Sequence, residues 1–200
     1  MAYSLISGFY DWWTHREPVR LLLIGIDDAG KTSVLEALKA ACDPSAGSVA
    51  PAAIQPTVGL NIGSLDLAGS PVTVWDLGGA PGLRRIWTEY YGEAHAVVMV
   101  VDASTPSRFQ ESKHALDSAL GTQELFDAPL LLLVHKQDAN GACSPEEVAA
   151  ALGVHAGGEG RLCHVAGTAT NDPMGVKNAF SWAVKVSLTG PRATLLASRG

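Results

Sequence analysis

The stretch GIDDAGKT at residues 25–32 places two glycines, a lysine and a threonine at the spacing G-x-x-x-x-G-K-[ST]. Glycines let backbone N–H groups curve around phosphate oxygens, and the N-terminus of a following helix favours the same anions. Lys31 can neutralise the β- and γ-phosphates of a nucleotide, and the Thr32 hydroxyl can bind Mg²⁺. The stretch is therefore predicted to be a phosphate-binding loop (P-loop). A chance glycine turn is the weaker alternative, because four fixed positions lie between a strand and a helix.

Two further motifs follow apolar runs. Asp76 ends the run VTVWD and suits the aspartate that holds Mg²⁺ directly or through water. HKQD at residues 135–138 follows PLLLLV. The Asp138 carboxylate can accept hydrogen bonds from N1–H and the 2-amino group of guanine, a pair of donors that adenine lacks, so it would select GTP over ATP. Lys136 can lay its stem along the base. The alternative for HKQD is a charged strand end that faces solvent.

The elements that would position these motifs alternate along the chain. Five apolar runs predict strands: VRLLLI (19–24), GLNIGSLDL (59–67), VTVWD (72–76), HAVVMVVD (95–102) and PLLLLVH (129–135). The second and third flank the turn AGSP and predict a hairpin. One helix is predicted over residues 31–42. Three later helices are predicted to begin at Thr105-Pro106, at the capping box of Ser144 and Glu147, and at Asp172-Pro173. This order predicts an α/β fold with a mostly parallel sheet and helices on both faces, whose ligands bind at the carboxyl ends of the strands.

Composition excludes several classes of protein. With 47% apolar and 17% charged residues among 200, the chain is globular rather than disordered. Its net charge of −6 argues against nucleic acid as a main partner. Cys42, Cys143 and Cys163 lie far apart, in no metal-binding spacing, and are predicted to be reduced thiols. Apolar runs are too short to span a membrane. Residues 43–56 are predicted to be a mobile loop and residues 189–200 a flexible tail.

Four motifs resemble those of the ADP-ribosylation factor family of small GTPases, whose marks are GxDxAGKT, PTxGxN, WDxGG and NKQD. Here they are GIDDAGKT, PTVGLN (56–61), WDLGG (75–79) and HKQD. Within that family the chain is most similar to the Golgi-associated factor-related branch, on the basis of SLISGFYDWW, TVGLNIG and SRFQESK. The resemblance implies a P-loop NTPase fold with a six-stranded, mostly parallel sheet in a G domain over residues 18–188. It also implies binding of GTP or GDP with Mg²⁺.

The resemblance assigns roles to single residues. Thr57 would be the switch I threonine that binds Mg²⁺ with GTP present, beside Thr32 and Asp76 (the latter through water). The Gly79 N–H would contact the γ-phosphate, so that Lys31, Thr57 and Gly79 would serve hydrolysis. The Ala169 N–H would bond to guanine O6. The full set of predicted nucleotide contacts is Gly25, Asp28, Ala29, Gly30, Lys31, Thr32, Ser33, Gly79, His135, Lys136, Asp138, Ala169 and Thr170.

Partners are implied in the same way. Leu60, Trp75 and Tyr90 would form an apolar surface for effectors in the GTP state; for Leu60 and Trp75 the sequence favours ordinary strand packing equally. A guanine-nucleotide exchange factor and a GTPase-activating protein are the other expected partners. The chain is expected to be a monomer.

Two positions depart from the family pattern. His135 replaces the usual asparagine; nucleotide binding is expected to survive because Asp138 carries the selectivity. Ala80 replaces the glutamine that orients the attacking water, so very slow unaided hydrolysis is expected. An activating protein could supply an arginine and part of the missing geometry.

The N-terminal segment, residues 1–17, is predicted to be an amphipathic helix, because Leu5, Ile6, Phe9, Trp12 and Trp13 fall on one face. That face suits a membrane interface, although it could also pack on the domain. The resemblance implies that the helix is stowed with GDP and released with GTP. Because Ala2 replaces the glycine of the myristoylation signal, a protein receptor on the membrane is a reasonable hypothesis.

These observations predict a GTP-dependent switch with slow hydrolysis. Its expected place is the cytosol and the cytosolic face of the trans-Golgi, where it would recruit effectors in vesicle traffic. One alternative is a GTP-binding scaffold without meaningful hydrolysis, favoured by Ala80 and His135. Another is a P-loop kinase, which would leave HKQD unexplained and would need an arginine-rich lid that the sequence lacks.

Overall fold

One six-stranded sheet forms the centre of the computed structural model, which describes residues 17–45, 57, 59–155 and 160–197. The strand order is β2-β3-β1-β4-β5-β6, with β2 antiparallel to β3 and every other neighbouring pair parallel. The strands are β1 (Val19–Ile24), β2 (Leu60–Leu67), β3 (Ser70–Leu77), β4 (Ala96–Asp102), β5 (Leu130–His135) and β6 (Cys163–Gly167).

Helices cover the sheet in two groups. They are α1 (Lys31–Cys42), α2 (Thr88–Tyr91), α3 (Phe109–Leu120), α4 (Pro145–Leu152), α5 (Pro173–Thr189) and α6 (Pro191–Ala197). Helix α1 packs against α5, and α3 packs against α4. Strand β5 is buried along its whole length, and β4 along all but its last residue, as expected for strands covered on both faces. The predicted mostly parallel sheet with helices on both faces is confirmed.

Helix α1 has the bounds that the sequence predicts, and its apolar stripe faces the core. Val34, Leu35 and Leu38 are fully buried. A side chain at Gly63 on β2 would collide with Leu35, because its Cβ would lie 2.7 Å from the leucine Cδ1. This close contact between α1 and β2 holds the helix that begins at the P-loop against the sheet.

The hairpin of β2 and β3 has a tighter turn than predicted. Only Ala68 and Gly69 form the turn, with φ angles of 53° and 78°. These are the left-handed conformations of a two-residue type I′ turn, which matches the twist of the strands on either side. Ser70 and Pro71, expected in the turn, belong to β3 and pair with Leu67 and Asp66.

The starts of later helices follow the predicted signals with one difference. The capping box of α4 is present: Glu147 N–H donates to Ser144 Oγ at 3.3 Å, and Ser144 N–H donates to the Glu147 carboxylate at 2.8 Å. The helix predicted from Thr105-Pro106 instead begins as a 3₁₀ turn, Pro106–Arg108, before α3. Two further 3₁₀ turns are Arg84–Trp87 and Gln123–Leu125.

The C-terminal tail differs from the expectation of a flexible segment, since α6 follows the helix that was predicted to be the last. Arg192 accounts for this order. Its buried guanidinium donates to the carbonyl oxygens of Ala94 and Tyr91 and, at 2.7 Å, to the Asp127 carboxylate. One side chain therefore fixes α6 to the segments that precede β4 and β5.

Several sequence-based expectations fall on residues outside the described ranges. They concern residues 1–16 of the N-terminal helix predicted over 1–17, most of the loop predicted over residues 43–56, and Pro56 and Val58 of the PTVGLN motif. Within the described ranges, no helix has the length and apolarity that crossing a membrane would require.

The Arg192 contacts predict a measurable loss of stability. Arg192→Ala should lower the free energy of unfolding by about 2–4 kcal/mol, because it leaves buried carbonyl oxygens without a donor. Urea unfolding followed by circular dichroism measures this. Arg85→Ala, at an exposed arginine, is the matched control and should change the value by less than about 0.5 kcal/mol. Equal effects of the two substitutions would contradict the anchoring role.

Candidate nucleotide-binding site

The P-loop lies between β1 and α1 and has the backbone geometry that phosphate binding requires. Gly30 has a φ of 94°, and Asp28, a residue with a side chain, adopts a φ of 59°. Gly25 lies against β4, where an added Cβ would be 2.4 Å from the Val100 carbonyl oxygen. Helix α1 has no side-chain cap and no acidic residue in its first turn. Its first N–H groups and its positive dipole end are thus available to an anion.

Lys31 is held inside this loop. The residue is 6% exposed, and its Nζ donates to the Ile26 carbonyl oxygen at 2.9 Å. Burial lowers the pKa of Lys31 to about 8, although the charge of Asp76 opposes the shift. A buried ammonium group curled back onto the loop backbone gains most from an anion placed beside it.

Three oxygen-bearing side chains predicted to bind a metal meet beside the loop. Thr32 Oγ1 lies 2.7 Å from Asp76 Oδ2 and 2.7 Å from Thr57 Oγ1, and Thr57 Oγ1 lies 3.3 Å from the same carboxylate oxygen. Asp76 is fully buried, and its Oδ1 has no hydrogen-bond partner among the residues that the structure describes. Burial raises the pKa of Asp76, against the hydrogen bond from Thr32 and the charge of Lys31. An orphaned carboxylate oxygen among hydroxyl oxygens fits a hard cation such as Mg²⁺.

The segment after β3 lies directly on the P-loop. A Cβ on Gly79 would be 2.4 Å from the Gly25 carbonyl oxygen and 2.5 Å from the Asp27 nitrogen, so only glycine fits there. The neighbouring Gly78 donates its N–H to Gly59 O at 2.9 Å. The indole N–H of Trp87 donates to Gly78 O at 2.9 Å. The backbone predicted to meet the γ-phosphate is therefore fixed from both sides.

A cluster of charged residues joins the same segment to the P-loop and α3. The Arg84 Nε–H donates to Gly79 O at 2.7 Å, and its guanidinium also binds Glu111. Arg108 donates to the Asp27 carboxylate at 2.6 Å and to Glu111 at 2.8 Å. The hydrogen bond from Arg108 lowers the pKa of Asp27, and those from Arg84 and Arg108 lower the pKa of Glu111.

Sequence reasoning missed this cluster. It gave no role to Asp27, Arg84, Arg108 or Glu111. Arg108 and Glu111 are three residues apart, so a helical pairing was available as a signal. The contact of Arg108 with Asp27 joins residues 81 positions apart and leaves no local trace in the sequence.

The residues predicted to bind guanine come together at the carboxyl ends of β5 and β6. Asp138 is exposed, and Ala169 is buried. The two loops that carry them are tied by the hydrogen bond from Gln137 N–H to Thr168 O at 3.1 Å. Lys136 has a φ of 62°, and its Nζ donates to Asp28 O at 2.9 Å and to Asp102 at 2.7 Å.

Asp102 was missed by sequence reasoning. Its carboxylate, at the end of β4, accepts from Lys136 and from the backbone and hydroxyl of Ser104. These bonds lower the pKa of Asp102 even though burial works in the opposite direction. Asp102 thus holds the lysine of HKQD at the P-loop.

The ADP-ribosylation factor family model matches residues 6–187, which is most of the chain. The chain belongs to the ADP-ribosylation factor family. It is similar to ADP-ribosylation factor-related protein 1 of Bos taurus, with 33% identity over 184 residues and 92% of each chain covered. It is also 36% identical to ADP-ribosylation factor-like protein 3 of Saccharomyces cerevisiae over 137 residues, 68% of each chain.

A solved structure has the same architecture. It is the Arl6 BBS3 small GTPase from Trypanosoma brucei with bound nucleotide analogue GppNp. The match has a TM-score of 0.73 and 25% sequence identity, and it covers 86% of this chain and 98% of that one. As a small GTPase of the ADP-ribosylation factor family, the chain is a GTP-binding switch, and proteins of this kind act with exchange factors, activating proteins and effectors.

For two residues of the predicted effector surface, Leu60 and Trp75, the sequence left strand packing open as an equal alternative. Trp75 is 8% exposed and packs on Tyr90 with ring centroids 5.1 Å apart, and Leu60 is half-buried. Strand packing therefore accounts for most of the Trp75 surface. Ile62, which pairs with Trp75 across the hairpin, is 53% exposed and was missed by sequence reasoning.

The contact of Gly79 with the P-loop predicts a difference between two glycines of one segment. Gly79→Ala should lower the free energy of unfolding by about 1–3 kcal/mol and weaken GTP binding, because the new methyl group would force the two loops apart. Gly82→Ala is the control, since an added Cβ there has nothing within 4 Å, and should change stability by less than about 0.5 kcal/mol. Urea unfolding and nucleotide loading measure both effects; a Gly79→Ala protein as stable as the control would disprove the contact.

Proposed function

We propose that the protein is a slowly hydrolysing GTP-dependent switch that recruits effectors to Golgi membranes. The observation that carries the proposal is the meeting of Thr57 with Thr32 and Asp76. Thr57 precedes β2, outside the P-loop, yet its hydroxyl lies 2.7 Å from that of Thr32. A ligand held at this point would therefore order the segment around Thr57 together with the P-loop.

Mg²⁺ is the cation that this oxygen set fits, with Thr32, Thr57 and Asp76 as the residues that would hold it. When bound, it would supply positive charge that offsets the charge of the nucleotide phosphates. Lys31 adds a second positive charge at the phosphates. The N–H of Gly79 is positioned for the γ-phosphate by the hydrogen bonds of Arg84 to Gly79 O and of Trp87 to Gly78 O. These contacts couple the terminal phosphate to the segment after β3.

Slow hydrolysis follows from what surrounds position 80. Ala80 has no polar side-chain atom that could orient a water molecule. Arg84, the nearest basic residue of the segment, is already bonded to Gly79 O and Glu111. An activating partner would have to supply the missing polar group, or displace Arg84 from Glu111.

A membrane role rests on the resemblance of SLISGFYDWW to the factor-related branch and on the apolar face of that segment. Aromatic side chains on an amphipathic helix favour the membrane interface but bind it weakly by themselves. A receptor protein at the trans-Golgi would complete the attachment. The apolar positions Leu60, Ile62 and Tyr90 are the proposed contacts for effectors.

A GTP-binding scaffold without meaningful hydrolysis is the second candidate, favoured by Ala80 together with the engaged Arg84. Single-turnover release of γ-phosphate from GTP-loaded protein distinguishes the two. We expect slow release from the wild type and release about tenfold or more faster from Ala80→Gln, because a positioned amide orients the attacking water. Gly82→Ala should release phosphate at the wild-type rate.

Three results of that experiment are decisive. Wild-type release at the rate of Ala80→Gln would show that another group positions the water. No release from the wild type before the nucleotide dissociates, with recovery in Ala80→Gln, would favour the scaffold. If the protein fails to retain GTP in the presence of Mg²⁺, both the slow switch and the scaffold are contradicted.

Membrane attachment has its own test, flotation with vesicles of phosphatidylcholine and phosphatidylserine. We expect several-fold more protein to float with a non-hydrolysable GTP analogue than with GDP, because the GTP state frees the N-terminal segment. Trp12→Ser combined with Trp13→Ser should abolish the difference. Phe126→Ser, at an aromatic residue that is 76% exposed elsewhere on the domain, is the control and should leave flotation unchanged. Equal flotation in both nucleotide states would contradict the proposal.

A further inference from the structure

His135 is enclosed at the end of β5 and makes two side-chain hydrogen bonds. The residue is 1% exposed. Its Nδ1 lies 3.1 Å from Thr168 Oγ1, and its Nε2 lies 3.3 Å from Thr170 Oγ1. Both threonines belong to the loop after β6. One side chain thus bonds twice to the loop that carries Ala169.

The imidazole ring also lies against the P-loop. A Cβ on Gly30 would be 2.5 Å from His135 Cδ2 and 3.1 Å from Nε2. The ring therefore fills the space that any other residue at position 30 would need. Packed between Gly30 and two threonines, it has no room to turn towards a ligand without giving up one of its partners.

The number of hydrogen bonds available to the ring decides what else it can contact. Burial lowers the pKa of His135 to about 4, so the ring is neutral at pH 7. A neutral imidazole has one donor and one acceptor, and each ring nitrogen here already has a threonine partner. An asparagine amide has two N–H donors and an oxygen with two lone pairs. Asparagine at the same place could bond to the loop and still offer a donor.

We propose that His135 is a positioning residue that ties the P-loop to the loop after β6 and gives no hydrogen bond to the base. The inference rests on the guanine-nucleotide binding proposed above. Guanine presents N7 and O6 as neighbouring acceptors on one edge. The resemblance assigns the Ala169 N–H to O6, and His135 bonds to Thr168 and Thr170 on either side of Ala169, so its side chain is the group that we infer would face N7. In this protein the donor of that side chain is occupied, so recognition of guanine depends on Asp138 and Ala169.

Comparison of GDP with 7-deaza-GDP, which has a carbon in place of N7, tests the proposal. The affinity of the full chain for each ligand is measured in the presence of Mg²⁺, by competition with a fluorescent GDP. We expect the wild type to bind the two ligands with equal affinity. His135→Asn should prefer GDP about fivefold, about 1 kcal/mol, through a new hydrogen bond to N7. Because the ratio compares two ligands on one protein, a general loss of stability does not change it.

A second variant keeps the test decisive if His135→Asn folds poorly. Thr170→Val removes the hydroxyl partner of Nε2, freeing that nitrogen, and should also produce a preference for GDP. Asp138→Ala is the control. It should lower the affinity for both ligands equally, since the contacts proposed for Asp138 are on the opposite edge of the base. A wild-type preference for GDP over the deaza ligand, or no change of ratio in either variant, would overturn the proposal. Failure of the wild type to bind both ligands would instead reject the proposed function itself.

Discussion

The contact of one backbone with another at Gly79 determines how the carboxyl edge of the sheet is built. Strands β1 and β3 are parallel neighbours, so the loops that follow them leave the sheet side by side. Gly79 brings the second loop so close to residues 25–27 that no side chain can stand between them. A phosphate group held by the first loop would therefore lie close to the backbone of the second loop, with no side chain between them. Gly30 also leaves no room for a side chain, but there the neighbouring group is the imidazole ring of His135.

Four charged side chains connect the loops at the carboxyl edge of the sheet. The Asp27, Arg84, Arg108 and Glu111 side chains link the P-loop, the segment after β3 and α3 in one group. All four side chains are partly exposed, so each pair alone contributes little to folding stability. Their joint effect is geometric, because a shift of Arg84 moves Gly79 O, its hydrogen-bond acceptor. The position of the segment after β3 thus depends on charges from three separate parts of the chain.

The sequence predicts the parts of this structure whose causes are local. Apolar runs identify β1, β4 and β5, the G-x-x-x-x-G-K-[ST] spacing identifies the P-loop, and Ser144 with Glu147 identifies the start of α4. The tail was predicted to be flexible because its order depends on Arg192, whose partners lie 65 to 101 residues away. Two other bonds also join residues far apart in the sequence: that of Arg108 to Asp27 spans 81 positions, and that of Lys136 to Asp102 spans 34. His135 was recognised as a departure, but its threonine partners lie in the loop after β6, 33 and 35 residues away, so its bonding could not be derived from the sequence.

Position 80 contributes to this architecture through its main chain alone. The Ala80 carbonyl oxygen accepts the Leu83 N–H at 2.8 Å, and that bond is available to nearly any residue. The side chain of Ala80 is half-buried and takes no part in that bond. Selection could therefore adjust the lifetime of the GTP state at this one codon without a compensating change elsewhere. In this protein the timing of the switch and the integrity of its scaffold are free to evolve separately.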